Sequence, residues 1–285
     1  MKNLTTSILK FIKKIIHKIL RILGYKLQAI HPIPGQRVPD KIITFKNFVS
    51  LTKAYEQFLN DSDNVIDQNA IRPYLLSRLT GTLTSEAYFI IHSLAKCKNL
   101  NGSVCEFGVG GGETSVLIAN EILNSDRVLH LFDSFEGLPS PTEKDQLKDD
   151  IFSLGSMEAY RGTMAASEEL VQKLLSKISF TSDRYYIHKG WIEKVLINDT
   201  NLPKNVSFAY VDFDFYEPIK LALEFLHYKM LKGAIIIVDD YDYFSTGSKL
   251  AVDEFLKKKN SNLKQYNSFI PDVNYGHFII LTKLE

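Results

Sequence analysis

Three apolar segments of this chain run directly into acidic residues, and this feature constrains the fold most. The segments with their acids are 128–132 with Asp133, 208–211 with Asp212, and 234–238 with Asp239 and Asp240. A fourth apolar run, 103–107, contains Glu106 and leads into glycines. Helical patterns separate these runs, and strands that alternate with helices indicate a parallel sheet covered on both faces. Open α/β sheets bind ligands at the carboxyl ends of their strands, so we expect these acids to share one edge.

The sequence therefore predicts an α/β fold with a doubly wound sheet. The predicted strands cover 103–107, 128–132, 185–188, 208–211, 234–238 and 278–281, and the predicted helices cover 41–60, 84–97, 113–123, 167–178, 218–230 and 248–258. With 285 residues, 45% of them hydrophobic and 24% charged, the chain has the composition of a soluble globular protein. Two cysteines are too few for a disulfide framework and fit a reducing compartment.

The glycine-rich stretch 106–114, EFGVGGGET, follows the first predicted strand. A nicotinamide fingerprint would require its third glycine at Glu113, whereas here the glycines are Gly108, Gly110 and Gly112. Acids on both sides of the loop disfavour a pyrophosphate and suit a cationic ligand, such as a sulfonium with an ammonium. Asp133, at the end of the next strand, can accept the hydroxyls of a ribose. The alternative is a glycine turn that binds no ligand.

Asp212, Asp239 and Asp240 predict a cation site. Buried carboxylates at neighbouring strand ends repel one another, and Mg²⁺ or another hard ion removes that penalty. The cation would lower the pKa of a bound sugar hydroxyl, and a nearby carboxylate would take its proton. The alternative is capping: Asp240 would cap a turn and Asp214 the helix at 218–230.

Other interpretations of these residues stay open. His188 and His277 are second choices as a base. Residues 212–214, Asp-Phe-Asp, also have the D-x-D form of metal-dependent glycosyltransferases, but that alternative leaves Asp239 and Asp240 unexplained.

Six stretches together resemble a known enzyme family. They are EFGVGGG at 106–112, LFDSFEGLP at 131–139, KGWIE at 189–193, VDFDFYEP at 211–218, GAIIIVDDY at 233–241 and AVDEF at 251–255. From about residue 72 to 285 the chain resembles class I S-adenosylmethionine-dependent methyltransferases. More narrowly it resembles the macrocin O-methyltransferase family, which includes sugar O-methyltransferases of macrolide and aminocoumarin pathways. The resemblance implies a Rossmann-like doubly wound sheet of about seven mostly parallel strands.

The resemblance also implies roles for residues. Glu106 would bind the methionine end of the cofactor, Asp133 the ribose, and Gly190 with Trp191 would border the adenine. For Trp191, a hydrophobic anchor is an equal alternative. The cofactor-binding residues expected are Thr84, Glu106, Gly108, Gly110, Gly112, Asp133, Ser134, Gly190 and Trp191. The metal ligands expected are Asp212, Asp239 and Asp240, with Asp212 also the catalytic base.

The expected function is S-adenosylmethionine- and Mg²⁺-dependent O-methylation of a sugar hydroxyl. The acceptor would be a glycan, a nucleotide sugar or a glycosylated natural product. The alternatives are the glycosyltransferase and a methyltransferase-like binding or scaffold protein without turnover. The segments 41–83 and 140–165 carry none of the matched motifs and are expected to set the acceptor. The segment 140–164, with the helix after it, would close as a lid.

The chain's charge is unevenly distributed. Residues 1–40 carry +7 and residues 41–285 carry −6, giving the total of +1. Residues 7–23 predict an amphipathic helix with a basic face and an apolar face. Such a helix lies on an anionic membrane or packs on protein, including a second subunit, and it is too apolar for nucleic acid. The expected location is cytoplasmic, with peripheral contact at the inner membrane face. We divide the chain into a basic helix at 1–28, a linker and helical cap at 29–83, and a methyltransferase domain at 84–285.

Overall fold

The computed structural model describes residues 69–285. The helices predicted over 7–23 and 41–60, and most of the linker predicted over 29–83, lie outside this part of the chain. The helices are α1 (Arg72–Leu76), α2 (Thr84–Lys96), α3 (Glu113–Glu121), α4 (Glu168–Lys177), α5 (Ile192–Asn198), α6 (Tyr216–Lys229) and α7 (Thr246–Lys259). The strands are β1 (Ser103–Phe107), β2 (Leu129–Asp133), β3 (Tyr185–Lys189), β4 (Val206–Val211), β5 (Met230–Val238), β6 (Tyr266–Phe269) and β7 (Ile279–Lys283).

The strands form one seven-stranded sheet in the order β3-β2-β1-β4-β5-β7-β6. The first five strands of this order pair in parallel, and β7 pairs antiparallel with both of its neighbours. The strand order reverses between β1 and β4, which is the point where doubly wound sheets open a ligand crevice. The predicted sheet of about seven mostly parallel strands is confirmed.

The sheet is buried on both faces because its central strands are largely apolar. All six residues of β4 are buried, and β1 is buried from its second residue. One core layer packs α2, α3 and α4 against the sheet, and the other packs α5, α6 and α7 against the opposite face. Continuous apolar strands of this kind are typical of parallel sheets between two helical layers.

Three elements were absent from the sequence prediction. The strand β6 carries Asn267 and Ser268, and all of its residues except Tyr266 are exposed, so it has no apolar pattern to detect. The helices α1 and α5 have five and seven residues, which is too short for a clear helical period.

The segment 140–164 is anchored to the loops that follow β4 and β5. Asp145 is buried, and its Oδ1 accepts a hydrogen bond from the backbone nitrogen of Tyr216, 2.7 Å away, at the start of α6. Leu147 pairs with Ser245 as an isolated antiparallel bridge. These contacts attach the segment to both loops that carry the aspartates, and its closure as a lid stays a prediction.

Within residues 69–285, no helix combines the length and the apolar character needed to cross a bilayer. Cys97 and Cys105 are both buried and form no disulfide, in agreement with the sequence prediction.

Candidate active site

The glycine-rich loop between β1 and α3 is held by Asp133 at the end of β2. Its Oδ2 accepts hydrogen bonds from the backbone nitrogens of Val109 and Gly110, at 2.7 and 3.0 Å. Its Oδ1 accepts from the backbone nitrogen of Phe135, at 2.6 Å. Asp133 therefore shapes the loop as well as facing it. Since each carboxylate oxygen has two lone pairs, acceptor capacity for a ribose remains.

The three predicted glycines have positive φ but different surroundings. Gly108 has φ +86°, and a Cβ there would lie 1.8 Å from the carbonyl oxygen of Asp212. Gly112 has φ +86°, and its Cβ would lie 3.1 Å from the side chain of Val171 on α4. Gly110 has φ +50°, and no described atom lies within 4 Å of its Cβ position. Gly108 and Gly112 therefore allow close packing, whereas Gly110 borders open space in the described part of the chain.

Glu106 is fully buried at the end of β1, directly before this loop. Among the described residues, neither of its side-chain oxygens has a hydrogen-bond partner. Burial raises the pKa of Glu106 to about 8, and the negative charge of Asp133 adds to that shift. The hydroxyl of Ser115 lies near enough to favour ionisation but makes no hydrogen bond of normal geometry with Glu106, and it does not cancel the effect of burial. A buried carboxylate without partners is costly, so this site fits a ligand that supplies a cationic donor.

The remaining predicted cofactor residues lie along the same sheet edge. Gly190 and Trp191 follow β3, and the backbone nitrogen of Gly190 donates to the carbonyl of Asp133, at 2.9 Å. Ser134 accepts a hydrogen bond from the backbone nitrogen of Glu136, at 3.0 Å, and so shapes the turn after β2. The structure therefore brings the turns after β2 and β3 together, as the adenosine end of a cofactor would require.

Thr84 is the first residue of α2, whose start lies against the start of α3. The hydroxyls of Thr82 and Thr114 are 2.6 Å apart, with either able to donate. Ser85 donates to the carbonyl of Tyr275, at 2.5 Å. Thr84 thus lies two residues after Thr82, whose hydroxyl contacts the start of α3.

The aspartates expected to bind a cation lie at the ends of the adjacent strands β4 and β5. The backbone nitrogen of Asp239 donates to the carbonyl of Val211, at 2.8 Å, which places Asp239 beside Asp212. Asp239 is buried, whereas Asp212 and Asp240 are partly exposed. Asp240 has φ +51° in the left-handed region, an unusual backbone conformation for a non-glycine residue.

Burial is the main cause of perturbed acidity in this group. The pKa values of Asp212, Asp239 and Asp240 are all raised, mainly by desolvation. The charge of Asp239 raises the pKa of both other aspartates further. Asp214 is also buried with a raised pKa, and its side chain is hydrogen-bonded to Asp240. A cation beside these groups would offset both the cost of burying the carboxylates and the repulsion between them.

Three carboxylates are the donor chemistry of a hard divalent cation, and their buried negative charge fits one as well. Yet nowhere in residues 69–285 do three His, Cys, Asp or Glu side chains stand close enough together to hold a metal ion. Asp239 has both oxygens in hydrogen bonds, and Asp240 is bonded to Asp214. The residues fit a cation in chemistry and charge, although their side chains do not surround a common point.

Asp214 does not cap α6, in contrast to the capping alternative. The residue before α6 is Phe215, which makes no side-chain cap, and Asp145 bonds to the start of this helix instead. In the turn after Asp240, the backbone carbonyl of Asp240 accepts from the nitrogen of Tyr243 at 3.1 Å. Ser245 caps α7, accepting from the backbone nitrogen of Gly247 at 3.0 Å.

Two residues of this site were missed by sequence reasoning. Glu86 on α2 and Tyr210 on β4 are both buried. Tyr210 is hydrogen-bonded to Asp239, and Glu86 contacts both Tyr210 and Asp239. The sequence prediction placed Glu86 only within the helix at 84–97 and Tyr210 only within the apolar strand at 208–211. Their role depends on contacts across 124 and 29 residues of chain, which no local pattern carries.

The two histidines considered as bases have different surroundings. His188 is buried, with its Nδ1 2.7 Å from Asp199 Oδ2 and its Nε2 2.9 Å from His130 Nδ1. This network leaves His188 a satisfied residue on the side of the sheet that packs against α5 and α6. His277 stacks on Tyr243 with ring centroids 4.2 Å apart. Burial lowers the pKa of His277, and the charge of Asp239 partly opposes that shift.

The sheet order, the antiparallel β7 and the acid-flanked glycine loop after β1 define a Rossmann-like fold of the class I methyltransferase type. More narrowly, the chain belongs to the macrocin-O-methyltransferase (TylF) family, whose model matches residues 89–267. This membership agrees with the resemblance stated from the sequence.

Comparison with individual proteins gives the same class. The chain is 29% identical over 164 residues to demethyldecarbamoylnovobiocin O-methyltransferase of Streptomyces niveus. That match covers 56% of this chain and 60% of the relative, so the chain spans about three-fifths of that protein's length.

Two solved structures share the fold. The O-methyltransferase NovP matches with a TM-score of 0.58 and 22% identity, covering 71% of this chain and 81% of that one. CalS11, a calicheamicin methyltransferase, matches with a TM-score of 0.54 and 19% identity, covering 90% of this chain and 98% of that one.

Proposed function

We propose that this protein is an S-adenosylmethionine-dependent O-methyltransferase acting on a sugar hydroxyl. The observation that carries the proposal is Glu106, a fully buried carboxylate without a hydrogen-bond partner among residues 69–285, next to an open glycine-rich loop. The ammonium of the cofactor's methionine end is the type of donor this carboxylate requires. Membership of the macrocin-O-methyltransferase family supports the same activity.

In this proposal the cofactor lies along the carboxyl ends of β1, β2 and β3. Glu106 and Thr84 bind its methionine end, and Asp133 with Ser134 binds the ribose. Gly190 and Trp191 border the adenine. Gly110 leaves room for the backbone to approach the ligand, because no described atom lies above it.

The acceptor hydroxyl would lie at the ends of β4 and β5. S-adenosylmethionine supplies an electrophilic methyl group on a positively charged sulfur. Held by Glu106, Thr84 and Asp133, the cofactor would supply this methyl group and leave as the neutral thioether, and Asp212 would take the proton of the acceptor hydroxyl. Positioning and electrostatics would provide most of the acceleration.

We further propose that Asp212, Asp239 and Asp240 hold Mg²⁺. The support is the chemistry of three carboxylates together with their raised pKa values, which mark uncompensated negative charge. The cation would make the acceptor hydroxyl more acidic. Chelation by EDTA should abolish transfer, and Mg²⁺ but not Na⁺ should restore it. Full activity after exhaustive chelation would contradict the cation.

The activity is tested by calorimetry and by methyl transfer. The full-length protein should bind S-adenosylmethionine, measured with and without Mg²⁺, and should transfer a tritiated methyl group to members of a panel of sugars. The panel contains neutral glycosides, glycosylated natural products and nucleotide sugars. If the protein binds the cofactor neither with nor without Mg²⁺, the proposal is refuted. Binding without transfer to any sugar favours a non-catalytic protein, and binding of a sugar nucleotide instead favours a glycosyltransferase.

The proposal for the amino-terminal segment is separate. We propose that the helix predicted over 7–23 brings the domain to an anionic membrane surface, as its basic and apolar faces suggest. The protein should float with anionic liposomes, whereas a variant without residues 1–28 should not. Equal behaviour of the two proteins would refute membrane contact and leave packing on protein as the role of this helix.

A further inference from the structure

The carboxylate of Asp239 is held from two sides. The hydroxyl of Tyr210 donates to its Oδ2 at 2.6 Å, and the backbone nitrogen of Asp240 donates to its Oδ1 at 2.7 Å. Tyr210 is fully buried within β4, so its hydroxyl has little freedom to move. With a hydrogen bond on each oxygen, the plane of the carboxylate is fixed.

Glu86 extends this network to another element. Its Oε1 lies 3.2 Å from the Tyr210 hydroxyl, and its carboxyl group is also hydrogen-bonded to Asp239. Only 2% of the residue is exposed. Glu86 lies in the first turn of α2, the helix that begins at Thr84. The network therefore joins the end of β5 to the helix that borders the proposed methionine site.

An apolar side chain at position 210 would fill the core without the free-energy cost of burying a polar group. Buried polar groups stabilise a fold only when they are fully hydrogen-bonded, and a phenylalanine at position 210 would occupy nearly the same volume without that requirement. The polar groups instead converge on one aspartate at the end of a strand, where functional side chains of this fold lie.

We propose that Tyr210 and Glu86 are positioning residues that hold the Asp239 carboxylate in one orientation beside Asp212 and Asp240. The inference rests on the cation-binding part of the proposed function. A ligand that is already fixed loses less side-chain freedom when a cation binds, and loss of such supporting contacts typically weakens metal binding 10- to 100-fold. The network affects cation binding and leaves the cofactor site unchanged.

The test uses the full-length protein with Tyr210→Phe, which removes one oxygen atom. Mn²⁺ serves as the probe, and free Mn²⁺ is measured by electron paramagnetic resonance. We expect Tyr210→Phe to weaken Mn²⁺ binding at least about tenfold. Binding of S-adenosylhomocysteine, measured by calorimetry, should stay within about twofold of wild type, because Glu106 and the glycine loop are unaffected.

Tyr266→Phe is the matched control. Tyr266 is also fully buried in a strand, but its hydroxyl lies 3.2 Å from His227 Nδ1, away from the aspartates. This variant should bind Mn²⁺ like wild type. Equal weakening in both variants would indicate general loosening of the core and would overturn the proposal.

Glu86→Gln provides a second variant if Tyr210→Phe folds poorly. An amide keeps a donor near Asp239, so we expect weaker Mn²⁺ binding than wild type but a smaller effect than with Tyr210→Phe. Mn²⁺ affinity within twofold of wild type in both variants overturns the positioning role. Wild-type protein that binds S-adenosylhomocysteine but no Mn²⁺ refutes the cation and this proposal together, and leaves the cofactor proposal standing.

Discussion

Replacing Glu106 by glutamine should make the cofactor-free protein more stable at high pH. In the folded protein the pKa of Glu106 is raised from 4.5 to about 8 by burial. Because the raised value applies to the folded state, folding favours the protonated acid, and stability is lost as the pH rises from about 4.5 to about 8. At 1.36 kcal/mol per pH unit, this loss amounts to about 5 kcal/mol.

The experiment compares wild type and Glu106→Gln by urea denaturation between pH 4.5 and 9. Other groups titrate equally in both proteins, so the difference between the two unfolding free energies isolates Glu106. That difference should grow by about 5 kcal/mol in favour of the variant across this range. Glu136→Gln, which changes an exposed glutamate after β2, should leave the difference from wild type constant.

Bound cofactor should stabilise wild type more than the Glu106→Gln variant at high pH. An ammonium beside Glu106 stabilises the ionised carboxylate, so wild type should bind S-adenosylmethionine more tightly as the pH rises towards 8. The glutamine variant should bind weakly at every pH. A variant that gains no stability over wild type between pH 4.5 and 9 would refute the assignment of a buried, unpaired acid at this position.

Four further substitutions test the loop, the chemistry and the anchored segment. Gly108→Ala should destabilise the fold by more than about 3 kcal/mol, because the new Cβ would lie 1.8 Å from a backbone oxygen. Gly110→Ala should cost about 1–2 kcal/mol, from its positive φ alone. Urea denaturation that finds Gly110→Ala the more destabilising of the two would contradict the loop geometry. Asp212→Asn should abolish methyl transfer and keep S-adenosylmethionine affinity within about twofold, and full turnover would remove Asp212 as the base. Asp145→Ala should lower stability by about 2 kcal/mol through loss of its bond to the start of α6, and an unchanged melting curve would refute that role.

The sequence predicted the features that depend on local pattern. The apolar runs placed β1, β2, β4 and β5, and the acids after them lie at one edge because parallel strands end together. The glycines of the first loop were also recognised, since a turn between a strand and a helix requires their backbone freedom.

Contacts between distant parts of the chain could not be predicted in this way. Glu86 has the sequence signature of a helix start, and its approach to Tyr210 appears only when α2 packs on the sheet. The three backbone hydrogen bonds of Asp133 depend similarly on how the first loop folds over β2. The edge strand β6 has no apolar alternation, because most of its side chains are exposed.

The position of β7 has a consequence for the folding of the chain. It follows β6 in sequence but lies between β5 and β6, pairing Ile279 with Val238 and Phe269 with Ile280. Until β7 emerges from the ribosome, β5 presents an unpaired apolar edge, the type of surface on which nascent chains aggregate. The strand that leads to Asp239 is therefore paired late, and chaperone capture during synthesis would protect this edge most.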